Sequence, residues 1–453
     1  MTPERLGLLW GITVFSGAAA RFVAALSGLP GVVLLLLSGL LIGRSGLGLV
    51  EPLDLGPGLG TVVGLLVSLV LFDGGLNLRL PGDTIRATVQ RIAVLRLMIS
   101  LGAGLLAAHW LAGLSWSVAA VFSAIVLATG PTVVTPLVRQ IKLSPPLGDV
   151  LEAEGLLLEP IGAVLALLLL ELVLGNLHGW REVAFGLFQR LGGGIVIGAS
   201  VGWLLSELLR RLNPETASGL PLQLSLGMLF LMYGVSEWLL PESALPASVA
   251  AGLVVGRRPT PYSEALDNLI QELAQLAITM LFPLLAADVS WAELSPLGWG
   301  GISCVLVLMV VVRPLAVGVA TVGLPLNFQQ KLFLGWLAPR GIVTASVASL
   351  FAIRLVFSGR GTARSADAPV ARHKRRRIAS NPIRCARAVR SGGAALVALL
   401  AGATRTVRSN SALQGVTRRR YAPFASSGAS RRPRGMLFVS RPPINADDTR
   451  TGR

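Results

Sequence analysis

Runs of about twenty apolar residues recur along this chain as far as residue 354, and nothing else in the sequence limits its folding as strongly. Hydrocarbon holds no water to pair with exposed N–H and C=O groups. Each run must therefore satisfy its backbone internally, as a helix. Twelve candidate spans follow, near residues 6–26, 29–49, 58–78, 91–114, 116–139, 147–174, 185–210, 221–240, 243–256, 269–288, 297–322 and 330–354. The first is read as an uncleaved helix. Only 14% of residues are charged, against about 25% in soluble domains, so the expected class is an all-α polytopic membrane protein.

The few charges orient it. Arg79, Arg86 and Arg91 follow the third span, Arg139 and Lys142 the fifth, Arg210 and Arg211 the seventh, Arg257 and Arg258 the ninth. The loops after the eighth and tenth spans, "PES" and "DVSWAELSP", carry acids instead. The positive-inside bias then predicts an N-terminus outside; the loop with Arg181 and Arg190 runs against it. Residues 1–354 hold 19 Lys and Arg against 20 Asp and Glu, whereas residues 355–453 hold 21 against 3. The division expected is therefore 1–354, a transmembrane domain, and 355–453, a basic disordered tail.

Two spans are interrupted. "VLATGPTVVTPLV" puts Gly130, Pro131 and Pro136 inside the fifth, and "LGWLAPRGIVTASVA" puts Pro339, Arg340 and Gly341 inside the twelfth. Proline removes a helical donor and clashes with the preceding turn, so both helices should break there. A kink is the plainer reading. Two breaks in different halves favour a transporter with discontinuous helices around a midplane site.

The sixth span carries two carboxylates among leucines, in "EGLLLEPIGAVLALLLLELVL". A helix starting at Leu147 brings Glu159 about 18 Å along its axis, near the middle of a hydrocarbon core roughly 30 Å thick. Glu154 lies about 140° away around that helix and should meet a different partner. Arg340, also deep in an apolar span, is the cation for one of them, because a buried guanidinium needs a carboxylate. The other acid is left to exchange a proton for a cation, with Thr129, Thr132 and Thr135 as nearby oxygen donors. Asp73, in "LVLFDGGLNLRL", is a further acid near the path or an interfacial residue. Arg313 is read as a snorkelling helix-end anchor, and beyond Arg340 no other unpaired membrane arginine is evident. His109 is read as packing. Cys304, Cys385 and three histidines offer no disulfide framework or ligand spacing, so no cofactor is expected. No nucleophile–base pair or phosphate loop suggests an enzyme.

Taken in order, "LFDGGLNLRL", "ATGPTVVTPLVR", "EGLLLEPIGAVLA", "AGLVVGRR", "LFPLLAADV", "RPLAV" and "GWLAPRGIVTASVASLFA" resemble the bacterial NhaP-type sodium/proton antiporters, over about residues 5–354. The resemblance implies an antiporter fold with inverted repeats and two crossing discontinuous helices, a homodimer in the inner (plasma) membrane, and alternating access. It implies Na⁺ (or Li⁺, K⁺) and H⁺ as transported ions. Glu159 matches the ion-binding acid, Thr129 a helper ligand at the first break, Asp73 an acid near the path, and Glu154 with Arg340 a buried ion pair. Leu158-Glu159 departs from the usual Asn-Asp pair, Gly130 stands where many relatives carry aspartate, and Gly155 where some carry serine.

The implied thirteenth helix has no counterpart, since after Arg354 the best apolar stretch is "AALVALLAGA". Residues 355–453 are then either a frameshift product or a genuine tail that lies on anionic lipid. "RHKRRR" and "TRRRYAP" lack interleaved aromatics, so no nucleic acid is expected as a partner. Within transport, the expectation is Na⁺/H⁺ exchange at Glu159, with K⁺/H⁺ exchange or sodium-coupled symport as rivals.

Overall fold

The computed structural model describes residues 3–55, 58–78, 83–127, 130, 134, 147–212, 219–258, 260–289, 298–322 and 327–336. All regular structure among these is helical: α1 (Pro3–Ser27), α2 (Gly31–Ile42), α3 (Leu59–Asn77), α4 (Asp83–Trp110), α5 (Trp116–Leu127), α6 (Leu147–Leu174), α7 (Trp180–Arg211), α8 (Leu220–Leu239), α9 (Ala244–Arg257), α10 (Ser263–Ala287), α11 (Gly298–Ala320) and α12 (Phe328–Trp336), with a short 3₁₀ turn at Pro52–Leu55.

Among the described residues, eight of these helices are long and apolar enough to cross a membrane. α2, α5 and α9, at 12, 12 and 14 residues, fall short of that length. The second expected span, 29–49, is therefore too long. Its helix ends at Ile42, and the chain folds back through a turn in which the Leu47 and Gly48 N–H groups bond the Leu41 and Gly43 carbonyls. Gly48 takes φ 65° there, a left-handed backbone that glycine adopts without strain. α7 and α10 begin five and six residues earlier than hydropathy suggests, because their first turns are polar and hydropathy registers only the apolar part.

α6 lies at the centre, against α4, α5 and α7. Apart from its acids it is apolar on most of its surface, as a largely buried helix is; Leu156, Leu158, Val164, Ala166 and Leu170 are 1% exposed or less. α9 is wedged between α3 and α7 by glycines that let backbones touch. A methyl group on Gly198 of α7 would stand 2.0 Å from the Ala247 carbonyl oxygen of α9, and one on Gly252 of α9 would stand 2.3 Å from the Phe72 carbonyl oxygen of α3. A helix shorter than the bilayer is tolerable there, because protein covers it. On the outside, Phe185, Phe188 and Trp238 are 68%, 77% and 83% exposed, a surface suited to lipid rather than water.

α11 contains one π-helical turn, Leu308–Val312, just before Arg313-Pro314. Such turns arise where the regular hydrogen-bond ladder is interrupted, as a proline interrupts it. Beyond it Arg313, Ala316, Val317 and Ala320 form one buried stripe at helical spacing. Arg313 is 3% exposed, so it is no snorkelling anchor: the stripe faces α4 and α12, not lipid.

Candidate functional site

Glu154 and Glu159 both lie on the enclosed part of α6, at 3% and 0% exposure. Glu154 meets Arg96 of α4. Their side chains form an ion pair in which both groups are almost wholly removed from water. Arg340, the partner expected for Glu154, lies outside the described residues, as do Thr129, Pro131, Pro339 and Gly341. Gly130 is described and buried, and its carbonyl accepts the Val134 N–H at 3.3 Å.

Neighbours of the two expected breaks come together. Val134, past the break in the fifth span, packs in one cluster with Leu334, ahead of the break in the twelfth, and with Leu147 and Leu151 of α6 and Val317 of α11. One turn earlier on the stripe that carries Val317 is Arg313, whose Nε and Nη1 find no hydrogen-bond partner among the described residues. Arg313 and Arg96 are thus two buried membrane arginines: Arg96 lies in no quoted motif, and Arg313, although it opens "RPLAV", is not given a buried place by the sequence. A signal for them exists, since a charge inside an apolar span favours function. Arg96 follows Arg91 by five residues and reads as more of the basic cluster that flanks a loop; Arg313, next to a proline, reads as a helix end.

Asp73 is 5% exposed. It sits in the last turns of α3, where the Asn77 side-chain amide donates to its Oδ1 at 2.8 Å and to its backbone carbonyl at 3.1 Å. The crossing with α9 fixes it, Gly75 lying against the Val249 carbonyl so closely that a methyl would stand 2.6 Å away. A Ser68–Ser248 side-chain hydrogen bond joins the same two helices. His109 stacks on Trp116 at 3.8 Å, and its Nδ1 lies 2.7 Å from the Leu114 carbonyl oxygen, which suits a packing role. Among the described residues no group of three or more His, Cys, Asp and Glu is placed to hold a metal ion.

Chemically, buried carboxylates on α3 and α6, one neutralised by a buried guanidinium, suit protons and hard cations. Comparison with known proteins agrees. The family described as "Sodium/hydrogen exchanger, transmembrane" matches residues 11–357. The K(+)/H(+) antiporter NhaP2 of Shewanella sp. (strain MR-4) is 25% identical over 326 residues, 71% of this chain and 56% of that protein. The chain thus spans little more than half the length of that relative. The Na(+)/H(+) antiporter 1 of Methanocaldococcus jannaschii is 25% identical over 367 residues, 76% of this chain and 83% of that protein. The solved structure of the sodium proton antiporter MjNhaP1 from the same organism, at pH 8, superposes with a TM-score of 0.72 at 23% identity, covering 90% of this chain and all of that one. The polytopic helical fold is therefore an antiporter fold.

Proposed function

Since the chain belongs to the transmembrane sodium/hydrogen exchanger family, we propose that it exchanges a monovalent cation, Na⁺ before K⁺, for protons by alternating access, with both ions competing for Glu159. One observation carries the reading. Two of the acids on α6 are buried: Glu159 is wholly enclosed at mid-helix, and Glu154 is committed to the buried Arg96. A carboxylate committed to a buried guanidinium serves the framework, since removing either partner strands the other charge away from water. The exchange carboxylate is then Glu159, with Asp73 along its path and Thr129 at the first break. Glu154 belongs to the framework, through Arg96 and through Arg340 by resemblance. K⁺/H⁺ exchange is the second reading, favoured by the similarity to the K(+)/H(+) antiporter NhaP2. The same reading takes the assembly as a homodimer in the inner membrane, N-terminus outside, with transport residing in residues 1–354.

The test is proton exchange by the purified chain in liposomes, with Na⁺, Li⁺ and K⁺ offered separately. Glu159→Gln keeps shape and loses ionisation, so exchange should fall to background while the protein stays folded. Transport by that variant at more than about a tenth of the wild-type rate, a loss of only about 1.4 kcal/mol in the barrier, would assign the exchange to another group.

A further inference from the structure

We propose that Pro160 turns the backbone carbonyl of Leu156 into a ligand for the transported cation beside Glu159. The proposal rests on the exchange reading of Glu159 and adds to it a ligand and a specificity-determining residue. α6 runs as a continuous helix from Leu147 to Leu174 with Pro160 inside it. Proline has no N–H, so the carbonyl four residues earlier, that of Leu156, loses the donor a regular helix supplies. Leu156 is 1% exposed. Bulk water does not replace the lost donor, and an unmet buried carbonyl is costly enough to require a partner.

That carbonyl shares a turn with the exchange acid. Glu159 is three residues beyond Leu156 and occupies the neighbouring row of the helix surface. Helical side chains lean toward the N-terminus, which lays the Glu159 carboxylate back over residues 155 and 156. Gly155, one turn before Glu159, has no side chain to fill that space. Leu158, adjacent to the acid, is fully buried and apolar, so it offers the ion no oxygen. A hard cation bound by one carboxylate still needs oxygens, and carbonyls serve. The proline thus provides from the backbone what residue 158 withholds.

The experiment measures Na⁺-dependent proton exchange by the full chain in liposomes at one pH, across Na⁺ concentrations. Pro160→Ala restores the missing N–H and closes the carbonyl. The apparent KM for Na⁺ should rise about tenfold, the worth of one hydrogen-bond-strength contact to a charge, while thermal stability holds or improves because a helix-interior proline is gone. Pro160→Gly, which restores the N–H but loosens the helix, should share the raised KM. Leu158→Asn added to Pro160→Ala supplies an amide oxygen and should bring the KM back toward wild type. Pro283→Ala makes the same change inside α10, where Pro283 lies against Gly39 of α2 and not on α6, and should leave the KM within about twofold. A Pro160→Ala protein with the wild-type KM, or a KM that follows helix stability instead of the restored N–H, overturns the proposal. A wild-type chain that fails to exchange Na⁺ overturns the underlying reading instead, so the two failures are told apart.

Discussion

Glu154 and Glu159 are the same residue type on the same helix, and their neighbours alone separate them. Glu154 meets Arg96 with both side chains 3–4% exposed, so removing one partner strands the other away from water. Glu154→Gln should cost about 3–5 kcal/mol, read as a lowered Tm in detergent. Arg96→Met with Glu154→Leu removes both charges and should recover most of that loss, because a buried pair replaced by apolar groups is near neutral. A double variant no more stable than Glu154→Gln would mean that Arg96 is not what Glu154 relies on. At this scale the acids were legible and one partner was not. Depth along a helix follows from counting residues, so Glu159 could be placed from sequence. Which helix approaches Glu154 depends on tertiary packing, and Arg96 looks like one more basic residue at the end of a span.

Among elements, the seam between α7 and α9 decides how closely two backbones approach. Gly194, Gly198 and Gly202 recur every four residues along α7, and Ser243, just ahead of α9, with Ala247 and Ala251 of α9, answers them. Gly198→Ala would force its methyl onto the Ala247 carbonyl oxygen at 2.0 Å, and relief by spreading the helices should cost about 1–3 kcal/mol. A methyl added to Gly192, in the same helix, would meet no atom within 4 Å. Gly192→Ala should therefore keep or raise the Tm, by up to roughly 1 kcal/mol from the better helix propensity of alanine. Equal Tm values for the two variants would show that the seam is not tight. Helix existence was legible here because long apolar runs leave the backbone no alternative. Helix length was not, as α2 shows: its apolar run continues past Ile42 into Leu47 and Leu49, and only the glycines at 43, 46 and 48 permit the turn back. The π turn in α11 was equally hidden, since hydropathy runs unbroken through residues 297–322 and carries no sign of an irregular turn.

For the molecule as a whole, fold class and family were legible because they rest on patterns many residues long: the spacing of apolar runs and a series of motifs in order. The family match ends at residue 357, close to where the charge balance changes from 19 basic and 20 acidic residues to 21 basic and 3 acidic. Our proposal that transport resides in the first part has a direct consequence. A protein ending at residue 357 should exchange Na⁺ for protons with an apparent KM within about twofold of the full chain, since it keeps every residue of the family match. It should differ in its attraction to anionic vesicles. The excess of basic residues after Arg354 is worth about 1 kcal/mol for each Lys or Arg that reaches an anionic surface. Reconstituted in neutral lipid, the full chain should capture added phosphatidylserine-containing vesicles and release them as salt rises. The shortened protein, reconstituted in the same way, should show no such salt-dependent capture. Loss of exchange on shortening would instead assign part of the transport fold to residues beyond 357, and would end the division at Arg354.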